Sequence, residues 1–324
     1  MKPIFFTSGD LLADRRAEYA EMLFESGDFK AAADLMGEAL TRAPDWAAGH
    51  FRHGEMLAEA GEVAAALDAW RNVLRLDEMD RLGAALKLEL FGALDGLGAV
   101  PSAFVETLFD QYAETFDTAL VDKLGYRVPE LLEEALLRIG KHAFAHAVDL
   151  GCGTGLMGER LRAHVSFLEG IDISAKMLKR ADDKQIYDRL ERADLSALTK
   201  LPREADLVTA ADVFMYLGSL DRLFAAAGAS LAPGALFVFS VEHHAGPEAM
   251  VLRPSRRYAH SEAHLRAVMG DAGFEPVLLE KAVIRRDRGE PIEGLVVVAE
   301  RRGIGAAAAK VAVPDHRKER PEVH

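Results

Sequence analysis

Three glycines stand at every second position in Gly151-Cys-Gly-Thr-Gly155. The apolar run Ala147-Val-Asp-Leu150 leads into them, and a helical pattern starts at about Leu156. Glycine reaches backbone angles that other residues find costly, and its missing Cβ lets a ligand lie on the main chain. Strand, glycine loop and helix form the nucleotide site of an open α/β sheet. Acids mark the same edge. Asp149 ends the first apolar run, and Asp172 ends a second, Phe167-Leu-Glu-Gly-Ile-Asp172. An acid at the end of the second strand can hold both ribose hydroxyls of an adenosyl group. A dinucleotide fingerprint would want glycine three residues after Gly153, and Leu156 stands there instead. The loop therefore points away from a nicotinamide dinucleotide.

The form Asp149-x-Gly151-x-Gly153-x-Gly155 resembles motif I of the class I S-adenosylmethionine (SAM) methyltransferases. Ile171-Asp-Ile-Ser-Ala-Lys-Met-Leu178 resembles their second motif. The resemblance covers about residues 104–302. It implies SAM as cofactor, held by Asp149, Gly151, Cys152, Gly153, Gly155, Asp172, Ile173 and Met177. Asp194 would take the adenine amino group, with Leu195 beside the ring, and Ala211 and Asp212 would close the site from a fourth strand. Phe109-Asp-x-x-Ala-x-x-Phe-Asp117 resembles the cap helices of small-molecule methyltransferases. An aromatic there lies over the cofactor, and Tyr112 is the candidate; a sulfonium is attracted to an aromatic face. Helix packing is the other reading of Tyr112 and Phe116.

Methyl transfer from a sulfonium needs orientation and water exclusion more than a catalytic triad. A base matters only if the acceptor must lose a proton. His243 and His244, after the fifth strand, are the candidates, since histidine titrates near neutral pH. A solvated loop is the plainer reading of the pair, and no third residue makes a metal site of it. Tyr216, His243 and Tyr258 are expected at the substrate. Cys152 lies inside the glycine loop and is not expected to act as a nucleophile.

The elements that position these residues alternate strand and helix, which predicts a mostly parallel, Rossmann-like α/β sheet. Two final strands, Pro276–Arg285 and Glu293–Arg301, suit the antiparallel hairpin that closes a seven-stranded methyltransferase sheet. Ahead of this, residues 11 to about 80 repeat with a period of 34: Gly27 matches Gly61, Ala32 matches Ala66 and Leu23 matches Leu57. This resembles the tetratricopeptide repeat, an all-α helix–turn–helix of that period. Arg81 to Gly98 is read as a degenerate third unit. Taken together, the chain resembles predicted bacterial methyltransferases with N-terminal tetratricopeptide repeats. The expected domains are helical repeats over 1–98, cap and linker helices over 99–140, the methyltransferase domain over 141–302 and a disordered tail over 303–324.

Composition narrows the partners. The charge is 39 − 52 = −13, which argues against a nucleic-acid or anionic-membrane surface. The Asn/Asp-Pro-Pro-Tyr signature of amino-methylating DNA enzymes is missing. A single cysteine permits no internal disulfide, so a reducing compartment fits. The first residues hold too short an apolar run for a signal peptide, and a cytoplasmic location is expected. The acceptor is expected to be a small molecule. The alternatives are a protein or peptide held by the repeats, or a SAM-sensing interaction protein without turnover.

Overall fold

A computed structural model describes residues 7–96, 98–117, 125–287 and 289–303. The expected tail falls almost wholly on residues 304–324, which lie outside the described residues.

The chain begins with helices: α1 (Leu11–Glu25), α2 (Phe29–Arg42), α3 (Ala47–Glu59) and α4 (Val63–Leu76). They pair in sequence, α1 with α2 and α3 with α4, and α2 packs on α3. The two pairs turn alike. Gly27 and Gly61 have φ of +87° and +83°, which favours glycine. Asp28 N then donates to Leu23 O at 2.9 Å, and Glu62 N to Leu57 O at 2.8 Å. Ala13, Ala17, Ala20, Ala32 and Ala66 are buried, so small side chains let the helices close up. Trp70 fills the inner layer against Gly54, where a Cβ would meet its Nε1 at 2.4 Å. Its own N–H donates to Phe51 O at 3.2 Å. The expected third unit is only one short helix, α5 (Ala84–Leu90), followed by turns. Gly92, with φ of +68°, stands just past its end, where a left-handed residue stops a helix.

Helix α6 (Ser102–Tyr112) crosses to the second body, and α7 (Val128–Arg138) leads into it. Its strands are β1 (Phe144–Leu150), β2 (Val165–Asp172), β3 (Arg189–Arg192), β4 (Leu207–Ala210), β5 (Leu236–Glu242), β8 (Phe274–Asp287) and β9 (Glu290–Arg301). The order is β3-β2-β1-β4-β5-β9-β8. The first five are parallel; β9 is antiparallel to both β5 and β8. The expected closing hairpin is therefore present. Helices α8 (Leu156–Leu161), α9 (Ala175–Asp183), α10 (Asp221–Ser230) and α11 (Glu262–Asp271) complete the layers.

Both faces of the sheet are covered, so alternate residues of a strand enter different cores. On β5, Phe237, Phe239 and Val241 join one core with Phe214, Phe224 and Leu265. Leu236 and Val238 join the other with Leu132, Leu136 and Met157. A small hairpin, β6 (Met250–Leu252) with β7 (Tyr258–His260), follows β5 and was not anticipated. A fourth cluster, Leu86, Val100, Phe104, Leu108 and Tyr258, packs α5, α6 and β7 together. The helical body thus docks on the sheet body through this hairpin.

Candidate functional site

The carboxyl ends of β1, β2 and β4 open into a cavity of about 1560 Å³. Its floor is the glycine loop. Gly151, Gly153 and Gly155 have φ of +64°, +54° and +94°. A Cβ at Gly151 would meet Val213 Cγ2 at 2.6 Å, so glycine is needed for packing there. A Cβ at Gly153 would meet no atom within 4 Å: that main chain faces open space. Gly151 N and Cys152 N both donate to Ile171 O, at 2.7 and 3.0 Å, which ties the loop to β2.

Asp172 is fixed at the head of this space. Its Oδ2 accepts from Gly153 N at 2.9 Å and its Oδ1 from Ser174 N at 2.8 Å. Burial raises its pKa above the ordinary carboxylate value, and these backbone donors pull it partly back. Each oxygen retains a lone pair for a ribose hydroxyl. Asp194 also lines the cavity, accepting from Ser196 N at 2.8 Å and from Ser102 Oγ at 2.6 Å. Ile173, Leu195, Ala211, Asp212, Cys152, Tyr112 and Tyr216 line the same cavity.

Other expected site residues lie elsewhere. Asp149 is buried beneath the loop and is not among the lining residues. Tyr187 Oη donates to its Oδ2 at 2.7 Å, and Thr209 Oγ1 to its Oδ1 at 2.8 Å. Burial raises its pKa to about 6 against those two hydrogen bonds. Asp149 holds the loop from behind. Met177 is fully buried, and neither it nor Gly155 lines the cavity. His243, His244 and Tyr258 are also absent from the lining. His243 is buried, its Nδ1 3.4 Å from His260 O. Gly246 N donates to His244 Nδ1 at 3.2 Å. Tyr258 Oη donates to the Glu89 carboxylate at 2.9 Å, which joins β7 to α5. The β5 exit turns these side chains into the β6–β7 hairpin, so the structure does not bring them to the reacting space. Burial pushes the Cys152 thiol well up, and Asp172 and Asp149 add to that, consistent with an inert sulfur.

The sequence reading missed four residues that build the site. Asp110 on α6 accepts from Ser174 Oγ at 2.5 Å, and Asp117 accepts from Thr154 Oγ1 and from Lys184 Nζ, the latter at 3.0 Å. These acids latch the cap onto the cofactor half; both stand in the Phe109–Asp117 stretch that was singled out for its aromatics. Tyr187 supports Asp149 and packs under Gly158. Arg285 is buried on β8, with Nη1 2.7 and 2.8 Å from the two Asp212 oxygens and Nη2 on Glu242. Burial would lower its pKa, but the two carboxylates outweigh that and raise it. Phe109 stacks edge-on to Phe116 at 6.0 Å and to Tyr216 at 5.2 Å, which makes an aromatic roof.

The residues present fit S-adenosylmethionine. Asp172 would take the ribose hydroxyls, Gly153 offers bare main chain, Asp194 would meet the adenine, and the aromatic roof would suit a sulfonium. Bound there, SAM would supply the activated methyl group. Among the described residues no cluster of ligands could hold a metal ion, and no helix is long and apolar enough to cross a membrane.

Sheet order and glycine loop together define a Rossmann-like domain of the methyltransferase type. Comparison with known proteins agrees: residues 124–279 match the family model of a methyltransferase domain. The chain is 30% identical over 155 residues to a trans-aconitate 2-methyltransferase of Paracidovorax citrulli, covering 47% of this chain and 55% of that protein. It is 32% identical over 120 residues to a malonyl-[acyl-carrier protein] O-methyltransferase of Chlorobium phaeovibrioides, covering 34% and 45%. A ubiquinone biosynthesis O-methyltransferase of Coxiella burnetii is 26% identical over 113 residues, covering 34% and 47%. The chain thus spans about half the length of the curated relatives it matches. A SAM-dependent methyltransferase structure from Clostridium acetobutylicum aligns over 60% of this chain and all of its own, with 16% identity and a TM-score of 0.47. Over residues 124–279 the chain is thus similar to methyltransferase domains.

Proposed function

We propose that the whole chain is a SAM-dependent methyltransferase acting on a small-molecule acceptor, and that the N-terminal helices wall the acceptor's half of the site. One observation carries this. The cavity that begins at Gly151–Thr154 continues without a break to Phe51, Glu55 and Lys87 of α3 and α5. The helices that resemble tetratricopeptide repeats therefore contribute lining side chains, where an acceptor would meet the methyl group.

In this reading Gly151, Cys152, Gly153, Asp172, Ile173, Asp194, Leu195, Ala211, Asp212 and Tyr112 surround the cofactor, while Asp149, Gly155 and Met177 hold the loop from behind. Tyr216 serves the acceptor. Catalysis rests on orientation and on water exclusion by the cap. A cytoplasmic location fits the lone buried cysteine.

The test uses methyl-labelled SAM, the full chain and a cell extract split by size. Label in the small-molecule fraction is expected. Label in the protein fraction would favour a bound peptide substrate instead. SAM binding without S-adenosylhomocysteine formation in either fraction would leave a sensor without turnover.

A further inference from the structure

The acceptor half contains two adjacent arginines that form no close ion pair among the described residues; Glu55 and Asp80 act on the first of them, Arg256, only from beyond contact distance. Arg256 and Arg257 lie between β6 and β7, and both line the cavity. Among the described residues no carboxylate comes within 4.0 Å of either guanidinium, although the chain carries 52 acids against 39 bases. By contrast the cavity cations Arg52, Lys87 and Arg285 are each matched by an acid, while Arg286, which also lines the cavity, donates to Gly289 O at 3.0 Å. Arg52 and Lys87 pair with Glu55 at 2.9 and 2.7 Å, and Arg285 pairs with Asp212 at 2.7 Å.

Each of the two is aimed by neutral groups. Arg256 Nη1 donates to Leu82 O at 2.9 Å, and its guanidinium lies 4.7 Å from the Phe104 ring and 5.4 Å from that of Phe51. Arg257 Nε donates to Tyr216 Oη at 3.0 Å. A single hydrogen bond to the protein leaves most of each N–H fork over. The backbone is committed to this arrangement. Arg256 has φ of +62°, a left-handed angle costly for a side-chain-bearing residue, in a turn closed by Arg256 N on Arg253 O at 2.8 Å. Arg256 touches the helical body while Arg257 reaches, through Tyr216, the end of β4.

We infer that Arg256 and Arg257 form an anion subsite, and that the methyl acceptor carries a carboxylate or phosphate group that docks there. A planar guanidinium matches either oxyanion with paired hydrogen bonds. Desolvation within the cavity strengthens the pairing. This rests on the methyltransferase reading above and adds the acceptor's chemical class to it. No proton or electron moves at the subsite; it binds and orients.

The test splits the small-molecule extract on an anion exchanger into retained and non-retained fractions. Each is offered to the full chain with methyl-labelled SAM. Label is expected in a product of the retained fraction. Arg256→Gln and Arg257→Gln are each expected to raise KM for that fraction at least about tenfold, the scale of one charged hydrogen bond, with kcat little changed. Arg257→Lys should recover part of the loss, which a merely structural arginine would not predict. Prior treatment of the fraction with phosphatase tells a phosphate, whose labelling is abolished, from a carboxylate, whose labelling persists. Titration with S-adenosylhomocysteine must give unchanged affinity in every variant, which shows that the chain is folded. Label arising from the non-retained fraction overturns the subsite, as does an unchanged KM in both variants. Absence of S-adenosylhomocysteine binding by the unmodified chain would instead sink the methyltransferase reading itself.

Discussion

The two halves of the cavity are built differently. In the half that we assign to the cofactor, the main chain and a few acids do most of the holding, largely within residues 151–212. Gly153 N, Ser174 N and Asp172 are fixed by β1, β2 and the turns that follow them. In the half that we assign to the acceptor, side chains from distant segments meet: Phe51 and Lys87 from the helical body, Tyr216 after β4, Arg256 and Arg257 before β7, Arg285 on β8. A half made of backbone suits a ligand that does not change. A half made of converging side chains can be re-specified by substitution without disturbing the first. The contrast also locates the risk: the acceptor half depends on the docking of two bodies, and the cofactor half does not.

Substitutions sharpen or break this contrast. The largest effect is expected from Arg285→Met. It leaves the half-buried Asp212 without its cation and the buried Glu242 with only Arg253 at 3.7 Å, and unfolding in urea should show a loss of about 3 kcal/mol. A loss below about 1 kcal/mol would mean that the ion cluster does not hold the acceptor half together.

Asp149→Asn probes the support under the cofactor half. The folded carboxyl titrates at about 6 rather than 3.8, so the folded state keeps a proton that the unfolded chain has already lost. Wild-type stability therefore falls as pH rises from about 4 to about 6, and the deficit persists above that. The amide has no such deficit. Its advantage over wild type should grow across that window to about 3 kcal/mol, at 1.4 kcal/mol per unit, and then level off. Thermal melts from pH 4 to pH 8 check this, and a pH-independent difference would refute the buried titration.

Asp172→Ala should weaken S-adenosylhomocysteine binding about a hundredfold, from the loss of two hydrogen bonds to a charged group. His243→Ala, outside the lining, should leave that affinity within about twofold. Calorimetric titration of both variants decides it; equal losses would erase the assignment of the ribose to Asp172. The smallest effect is expected at the latch between the halves. Ser174 caps α9 through Met177 N at 3.1 Å and donates to Asp110. Ser174→Ala should cost about 1 kcal/mol, read from the denaturation midpoint. A cost near zero would indicate that the cap helix is held by its aromatics alone.

Legibility followed chain distance. The place of the glycine loop, Asp172 and Asp194 at one edge of the sheet was readable because each follows its own strand, β1, β2 or β3. The sheet was readable because alternating strand and helix patterns leave few topologies open. Asp149 was singled out, but its neighbours were not legible. Its spacing is that of a ligand-facing acid, yet Thr209 from β4 and Tyr187 before β3 claim its oxygens. His243 and His244 followed a strand whose end faces the site, but the β6–β7 hairpin draws them away, and a three-residue strand pair leaves almost no periodic signal.

Arg285 shows the limit most clearly. Most of β8 is partly exposed, yet Ile284 and Arg285 are both buried. The register shifts between Val283 and Arg285, and this irregularity re-aims the arginine. By itself the sequence determined the cofactor loop, its acids, the closing hairpin and the period of the helices. These depend on local angles and on hydrophobic spacing, which the order of residues carries directly. Only the tertiary structure decided that the helical body walls the same cavity, and that Arg256 and Arg257 face into it. Those facts arise where surfaces far apart in the chain meet, and no local rule encodes which surfaces those are.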